Sequence, residues 1–108
     1  MLKGHLDLLI LAVVADQPLH GYAVIEALRE RSQGVFDLPE GTVYPALHRL
    51  EKAGVLSSQW GEVAGRRRRS YQLTDKGMTA LSVQQAGWQQ FRSAMTATLR
   101  GAPWPTAI

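Results

Sequence analysis

The chain has 108 residues, 45% of them hydrophobic, which suffices for one modest core and shows no break between two folded units. Zero cysteines exclude a disulfide framework and a thiolate metal site, and the longest apolar run, Leu8 to Ala15, is eight residues where about 20 are needed to cross a bilayer. The net charge of +3 is concentrated between Arg49 and Lys76, where seven basic residues face three acidic ones and leave the remainder at −1, so an anionic partner is expected at that segment.

From Leu2 to Ala15 the chain is apolar on nearly every side, which predicts a helix covered by its own core and by a second subunit. Asp16, Gln17 and Pro18 end it. A second helix is predicted from about Gly21 to Ser32, with Tyr22, Ile25 and Leu28 inward, Glu26 and Glu30 outward, and Gly34 as the stop. His20 is expected at its start. Pro39 and Glu40 mark a third helix running to Ala53 and halted by Gly54. At about 100° per residue, Val43, Leu47 and Leu50, with Gly54 beyond, share a buried stripe. The opposite face carries Gly41, Pro45, His48 and Lys52, flanked by Tyr44 on one edge and by Thr42 and Arg49 on the other.

Val55 to Trp60 and Arg67 to Leu73 are strand candidates joined by a loop over 61–66, a hairpin with a basic tip. Thr74 can cap a last helix, with Asp75 in its first turn, where a negative charge suits the helix dipole. That helix is expected to reach about Arg100 and to end at Gly101 and Pro103. Met78, Leu81, Trp88, Phe91, Met95 and Leu99 recur at intervals of three, four or seven and form one long stripe. No preceding unit is large enough to cover it, which points to a partner subunit. The expected organisation is therefore mainly α with a small β-hairpin: a winged helix-turn-helix over 1–73, a C-terminal dimerisation helix over 74–101 and a loose tail over 102–108.

In that plan the outward face of the third helix meets DNA. Gly41 and Thr42 belong to a helix N-terminus whose free amides favour phosphate. Tyr44 can bring a hydroxyl to a phosphate oxygen, and Lys52 suits the same task. Pro45 either touches a thymine methyl or simply helps initiate the helix, and His48 either reads a base edge or is a solvated helix residue. Arg49 contacts DNA or pairs with an acid of the protein. Arg66, Arg67, Arg68 and Arg69 repel one another and are best tolerated beside an anion. Because strand residues alternate faces, about half of the four can touch one duplex together.

Catalysis has no candidate residues: no Ser/His/Asp arrangement, glycine-rich phosphate loop or paired carboxylates occurs. His5, His20 and His48 are far apart in sequence, so neither a metal nor a cofactor is expected. Lys3 followed by Asp7, without a small-residue cleavage site before Asp16, does not resemble a secretion signal, and the expected location is the cytoplasm, with no membrane partner.

These residues resemble the PadR family of bacterial transcriptional regulators, and within it the shorter members with a single C-terminal helix. The match runs through Leu19-His20-Gly21-Tyr22, the block from Gly41-Thr42-Val43-Tyr44-Pro45 to Arg49-Leu50-Glu51-Lys52-Ala53-Gly54, Gly65-Arg66, and Tyr71-Gln72-Leu73-Thr74-Asp75-Lys76-Gly77. The resemblance implies a homodimer on an inverted-repeat operator in double-stranded DNA, usually a repressor released by a small molecule, with the last helix of each subunit crossing into the other. Two departures stand out. Pro39 and Glu40 occupy the place where the family often has a serine before the third helix, removing the usual hydroxyl cap. Arg67 and Ser70 replace a wing proline and tyrosine, which raises the charge and predicts a steeper salt dependence.

Trp88 has two readings: a core residue of the dimer-forming helix, or, as the family resemblance implies, a wall against which a flat aromatic effector stacks, together with Phe91. A rival to the regulator is a winged helix that serves only as a protein-interaction module; it has no need of a polar third-helix face beside a basic hairpin. A small enzyme is the other rival, and it lacks reactive residues.

Overall fold

The computed structural model describes residues 4–103, so Leu2 of the expected first helix and residues 104–108 of the expected tail lie outside the described residues. In chain order the elements are α1 (Leu6–Asp16), β1 (Leu19–His20), α2 (Gly21–Arg31), α3 (Glu40–Lys52), β2 (Leu56–Val63), β3 (Arg66–Leu73) and α4 (Asp75–Leu99). The three strands form an antiparallel sheet in the order β1-β3-β2. This is the winged helix-turn-helix plan, mainly helical with a small sheet.

The core is built from one stripe of each helix. Ile10, Leu11, Val13 and Val14 of α1 meet Val24, Ile25 and Leu28 of α2, Val43, Ala46, Leu47 and Leu50 of α3, and Val55, Leu56, Tyr71 and Leu81. Leu47 and Val43 are fully buried, and each such side chain contributes roughly 1.5–3 kcal/mol by leaving water. Helix α2 departs from expectation at one position: Tyr22 is 45% exposed, and Val24 takes the inward place. Gly21, Val24, Ile25 and Leu28 then make a regular i, i+3, i+4, i+7 face.

Local chemistry sets the helix ends. His20 Nδ1 accepts a hydrogen bond from the Ala23 amide at 3.2 Å, and Thr74 Oγ1 accepts one from the Gly77 amide at 3.0 Å, so both are N-caps. Gly54, with φ at +82°, follows the C-cap of α3 in the left-handed conformation that lacks a Cβ penalty. It is exposed, so the buried stripe of α3 ends at Leu50. The Lys76 ammonium donates to the Ala53 carbonyl at 2.9 Å and Thr74 Oγ1 to the Gly54 carbonyl at 2.6 Å. The start of α4 is thereby fastened to the end of α3.

Two elements differ from the sequence expectation. Strand β1 pairs Leu19 with Tyr71 and His20 with Ser70; two residues are too short to show any periodicity. The hairpin is longer and its turn tighter than expected: β2 reaches Val63, β3 starts at Arg66, and only Ala64 and Gly65 lie between. Their φ values of +54° and +76° are those of a two-residue turn that follows the right-handed twist of the strands. The four arginines therefore sit along β3 rather than at a tip.

Helix α4 is buried only near its beginning. Gly77 passes so close to the Val55 carbonyl that an added Cβ would stand 2.0 Å from the oxygen, and Leu81 is 8% exposed. From Gln85 to Leu99 every residue is exposed.

Candidate nucleic-acid interface

Helix α3 enters on Pro39, which supplies no side-chain cap. Its carbonyl accepts the Thr42 and Val43 amides at 3.0 and 3.1 Å instead, so the first turn closes without a hydroxyl. Pro45 lies inside the helix and offers no amide to the Gly41 carbonyl four residues back. Gly41 and Pro45 are both exposed, as are His48 and Lys52, while Val43, Ala46, Leu47 and Leu50 face the core. The polar face expected for α3 is thus presented to solvent, with Thr42 half-buried at its edge.

Tyr44 sits at the other edge, half-buried, and packs against the core. Its ring lies over Gly21, where an added Cβ would come within 2.1 Å of Tyr44 Cε1. The close approach of α2 and α3 at this point requires a residue without a side chain. Tyr44 is thus a packing residue as well as a contact candidate.

Arg49 faces α1. Its guanidinium makes a bidentate pair with Asp7, at 3.0 and 2.6 Å. The hydrogen bond to Asp7, then the Asp7 charge, hold the guanidinium above its ordinary range despite some loss of solvent. Of the two readings for Arg49, the intramolecular ion pair is the one made here, and it ties α3 to α1.

The wing joins α3 through Glu51. Ser58 Oγ donates to the Glu51 carboxylate, Arg69 Nε donates to Ser58 Oγ at 2.7 Å, and the Arg69 guanidinium lies 3.7 Å from Glu51. Tyr71 is buried behind this cluster. Burial pushes its phenol up from the ordinary value; the Arg69 charge pulls it down, while Glu51 and Tyr44 add to the rise.

Register sorts the remaining wing residues. Arg69 is directly opposite Trp60 and Arg67 opposite Glu62, so these four share the sheet face of Tyr71, and Arg66 and Arg68 share the other. The guanidinium carbons of Arg67 and Arg69 lie 5.0 and 5.6 Å from the Trp60 ring centroid, within cation–π range. Arg66, Arg67 and Arg68 make no ion pair among the described residues. Trp60, Glu51, Ser58 and Asp7 were not among the residues singled out from sequence. Knowledge of the two-residue turn would have exposed the Trp60–Arg69 pairing; the Asp7–Arg49 pair has no local signal.

Along α4, Trp88, Phe91, Met95 and Leu99 are 39, 51, 45 and 50% exposed. Leu81, expected with them as a dimer or ligand residue, is instead core of its own chain, because α4 is still in contact with the domain there. Trp88 and Phe91 lie with ring centroids 5.9 Å apart and planes tilted by 35°, and His5 meets Trp88 edge-on at 5.4 Å. Together with Asp7, Leu8 and Gln84 they line a groove of about 340 Å³ between the start of α1 and the middle of α4. Among the described residues no cluster of side chains could hold a metal ion, and no helix is long and apolar enough to cross a membrane.

Comparison with known proteins agrees with this geometry. Residues 10–83 match the family model described as the transcriptional regulator PadR-like family. A transcriptional regulator from Mycobacterium tuberculosis is 41% identical over 73 residues, 68% of this chain and 65% of that one. Among solved structures, a PadR-like transcriptional regulator from Bacillus cereus superposes with a TM-score of 0.83 at 27% identity, covering 94% of this chain and 97% of that one. A PadR family transcription regulator from Clostridium difficile gives a TM-score of 0.76 at 30% identity, over 88% and 98%.

Proposed function

This chain belongs to the PadR-like family of transcriptional regulators, and from that premise we propose that it is a homodimeric repressor of an inverted-repeat operator, released by a small planar aromatic molecule. The family consists of DNA-binding regulators rather than enzymes. The observation that carries the reading is the exposed polar face of α3, backed by a fully buried stripe and joined through Glu51 to an arginine-rich wing.

In this reading residues 1–73 bind DNA and 74–101 dimerise. The two α3 helices enter successive major grooves about 34–36 Å apart. Gly41 and Thr42 offer amides to phosphate, Tyr44 and Lys52 contact the backbone, and Pro45 and His48 face base edges. Arg66 to Arg69 follow the backbone or minor groove beside the helix, with Arg69 also serving the Glu51 cluster. Arg49 acts mainly by fixing α3 against α1.

The bare half of α4 supports dimerisation: Trp88, Phe91, Met95 and Leu99 form an apolar stripe that its own chain leaves uncovered. The groove lined by His5, Trp88 and Phe91 supports the effector role. A planar aromatic that stacks there sits against both α1 and α4, the two elements whose relative position sets the spacing of the α3 helices.

Footprinting on the promoter of the chain's own gene tests the reading, followed by titration across salt. A protected inverted repeat is expected, with affinity falling steeply as salt rises. Unchanged binding after Arg66 to Arg69 are all replaced by alanine contradicts the wing role. For the effector, planar aromatics are expected to quench Trp88 fluorescence; equal quenching in Trp88→Leu contradicts it.

A further inference from the structure

Trp60 is the largest exposed aromatic of the wing, at 58% exposure, and neither core packing nor the stripe on α4 accounts for it. It shares a sheet face with Arg67, Arg69 and Glu62. Arg69 is its directly opposite neighbour and Arg67 its diagonal one, and both guanidiniums lie over the same indole. The two arginines are two residues apart on one strand face, so their charges repel. A π face between them offsets that repulsion and restricts their rotamers.

The two are not equivalent. Arg69 is held by Ser58 and Glu51 and so belongs to the joint between wing and helix. Arg67, although directly opposite Glu62, makes no ion pair among the described residues, and its guanidinium lies over Trp60 instead. A guanidinium stacked by its flat face keeps its in-plane N–H groups available, and those are the groups that fork onto a phosphate.

We propose that Trp60 is a positioning residue for DNA binding: its indole holds Arg67 in a pre-ordered pose on the wing, from which the guanidinium grips a backbone phosphate of the duplex. The proposal rests on the reading of the wing as a DNA contact and adds to it a residue outside the basic run. Holding the side chain before binding lowers the entropy lost when it docks. The contact is to the backbone, so its effect is independent of base sequence.

The test is fluorescence anisotropy with a labelled random-sequence duplex of about 30 bp, titrated at several salt concentrations, on wild type, Trp60→Ala, Trp60→Phe, Arg67→Ala and the Trp60→Ala/Arg67→Ala double variant. Trp60→Ala is expected to weaken binding roughly three- to tenfold and to lower the salt slope toward that of Arg67→Ala. Trp60→Phe keeps a ring and is expected to stay within about twofold of wild type. The double variant is expected to bind no worse than Arg67→Ala, because the indole acts through that arginine.

Wild-type binding by Trp60→Ala, or losses that simply add in the double variant, would overturn the proposal. The variant with all four wing arginines changed to alanine separates the two levels. If it loses affinity while Trp60→Ala does not, the wing reading stands and the positioning role falls; if it binds like wild type, both fall. Trp60→Phe guards against a folding defect: equal weakening in Phe and Ala variants, at unchanged circular dichroism, also counts against the role.

Discussion

At the scale of single residues, the hairpin turn holds an avoidable strain. Ala64 occupies the first turn position with φ at +54°, a conformation that costs a residue bearing a Cβ about 1 kcal/mol and that asparagine tolerates better. Ala64→Asn is therefore expected to stabilise the protein by about 0.5–1 kcal/mol, read as a higher denaturant midpoint with unchanged slope. Tyr71 makes a prediction of the opposite kind. Its phenol is raised above the ordinary value of 10.0, first by burial, so the folded state holds that proton more tightly than the unfolded chain does. The stabilising contribution is complete below the unfolded value and disappears as pH rises toward the folded one. As pH rises above about 10 the melting temperature should fall, and less steeply in Tyr71→Phe; equal slopes in the two proteins contradict the assignment.

At the scale of elements, α1 and α3 share the core and are tied at its rim by a solvent-accessible ion pair. Asp7 and Arg49 have side chains 32% and 58% exposed, so solvent screens them, and an exposed pair is ordinarily worth at most about 1 kcal/mol. Its bidentate geometry puts it toward the upper end of that range. Asp7→Asn should accordingly lower stability by about 0.5–1 kcal/mol and lose that effect in an Arg49→Ala background, a double-mutant cycle measurable by urea titration. The elements themselves were largely readable beforehand. The span of α3, its inward Val43, Leu47 and Leu50, its stop at Gly54 and the cap at Thr74 all follow from periodicity and from chemistry within four residues. The hairpin was less readable: Gly61 looks like a turn residue yet lies inside β2, paired with Arg68, while the turn itself carries an alanine.

For the whole molecule, the decisive quantity is the apolar surface left without cover. The long axis of the chain measures 54 Å, and α4, about 37 Å long at 1.5 Å per residue, supplies much of it with its second half exposed. In the proposed dimer Met95 and Leu99 lie on the apolar seam and outside the groove around Trp88. Met95→Asp with Leu99→Asp is expected to give a folded monomer by sedimentation equilibrium. Its operator affinity should drop by at least about tenfold, since two half-sites no longer bind as one unit. A dimer of unchanged stability in that variant contradicts the seam.

The site shows the same division between local and distant causes. The outward face of α3 was legible because a helix turns every residue by a constant angle, so one apolar stripe defines its opposite. Partners for Arg49 and Arg69 were not: Asp7 lies 42 residues from Arg49 and Ser58 11 from Arg69, and nothing in the intervening sequence marks the pairing.

By itself the sequence determined the helices, their caps, the basic character of the wing and the membership of the PadR-like family, because each depends on residue type and short-range spacing. Only the tertiary structure decided which arginines are tied to carboxylates, that Arg67 and Arg69 both lie over Trp60, that Leu81 is buried within its own chain while Trp88 is left partly exposed on it, and that β1 completes the sheet. Those outcomes depend on contacts between distant segments, whose geometry exists only once the core formed by α1, α2 and α3 has brought them together.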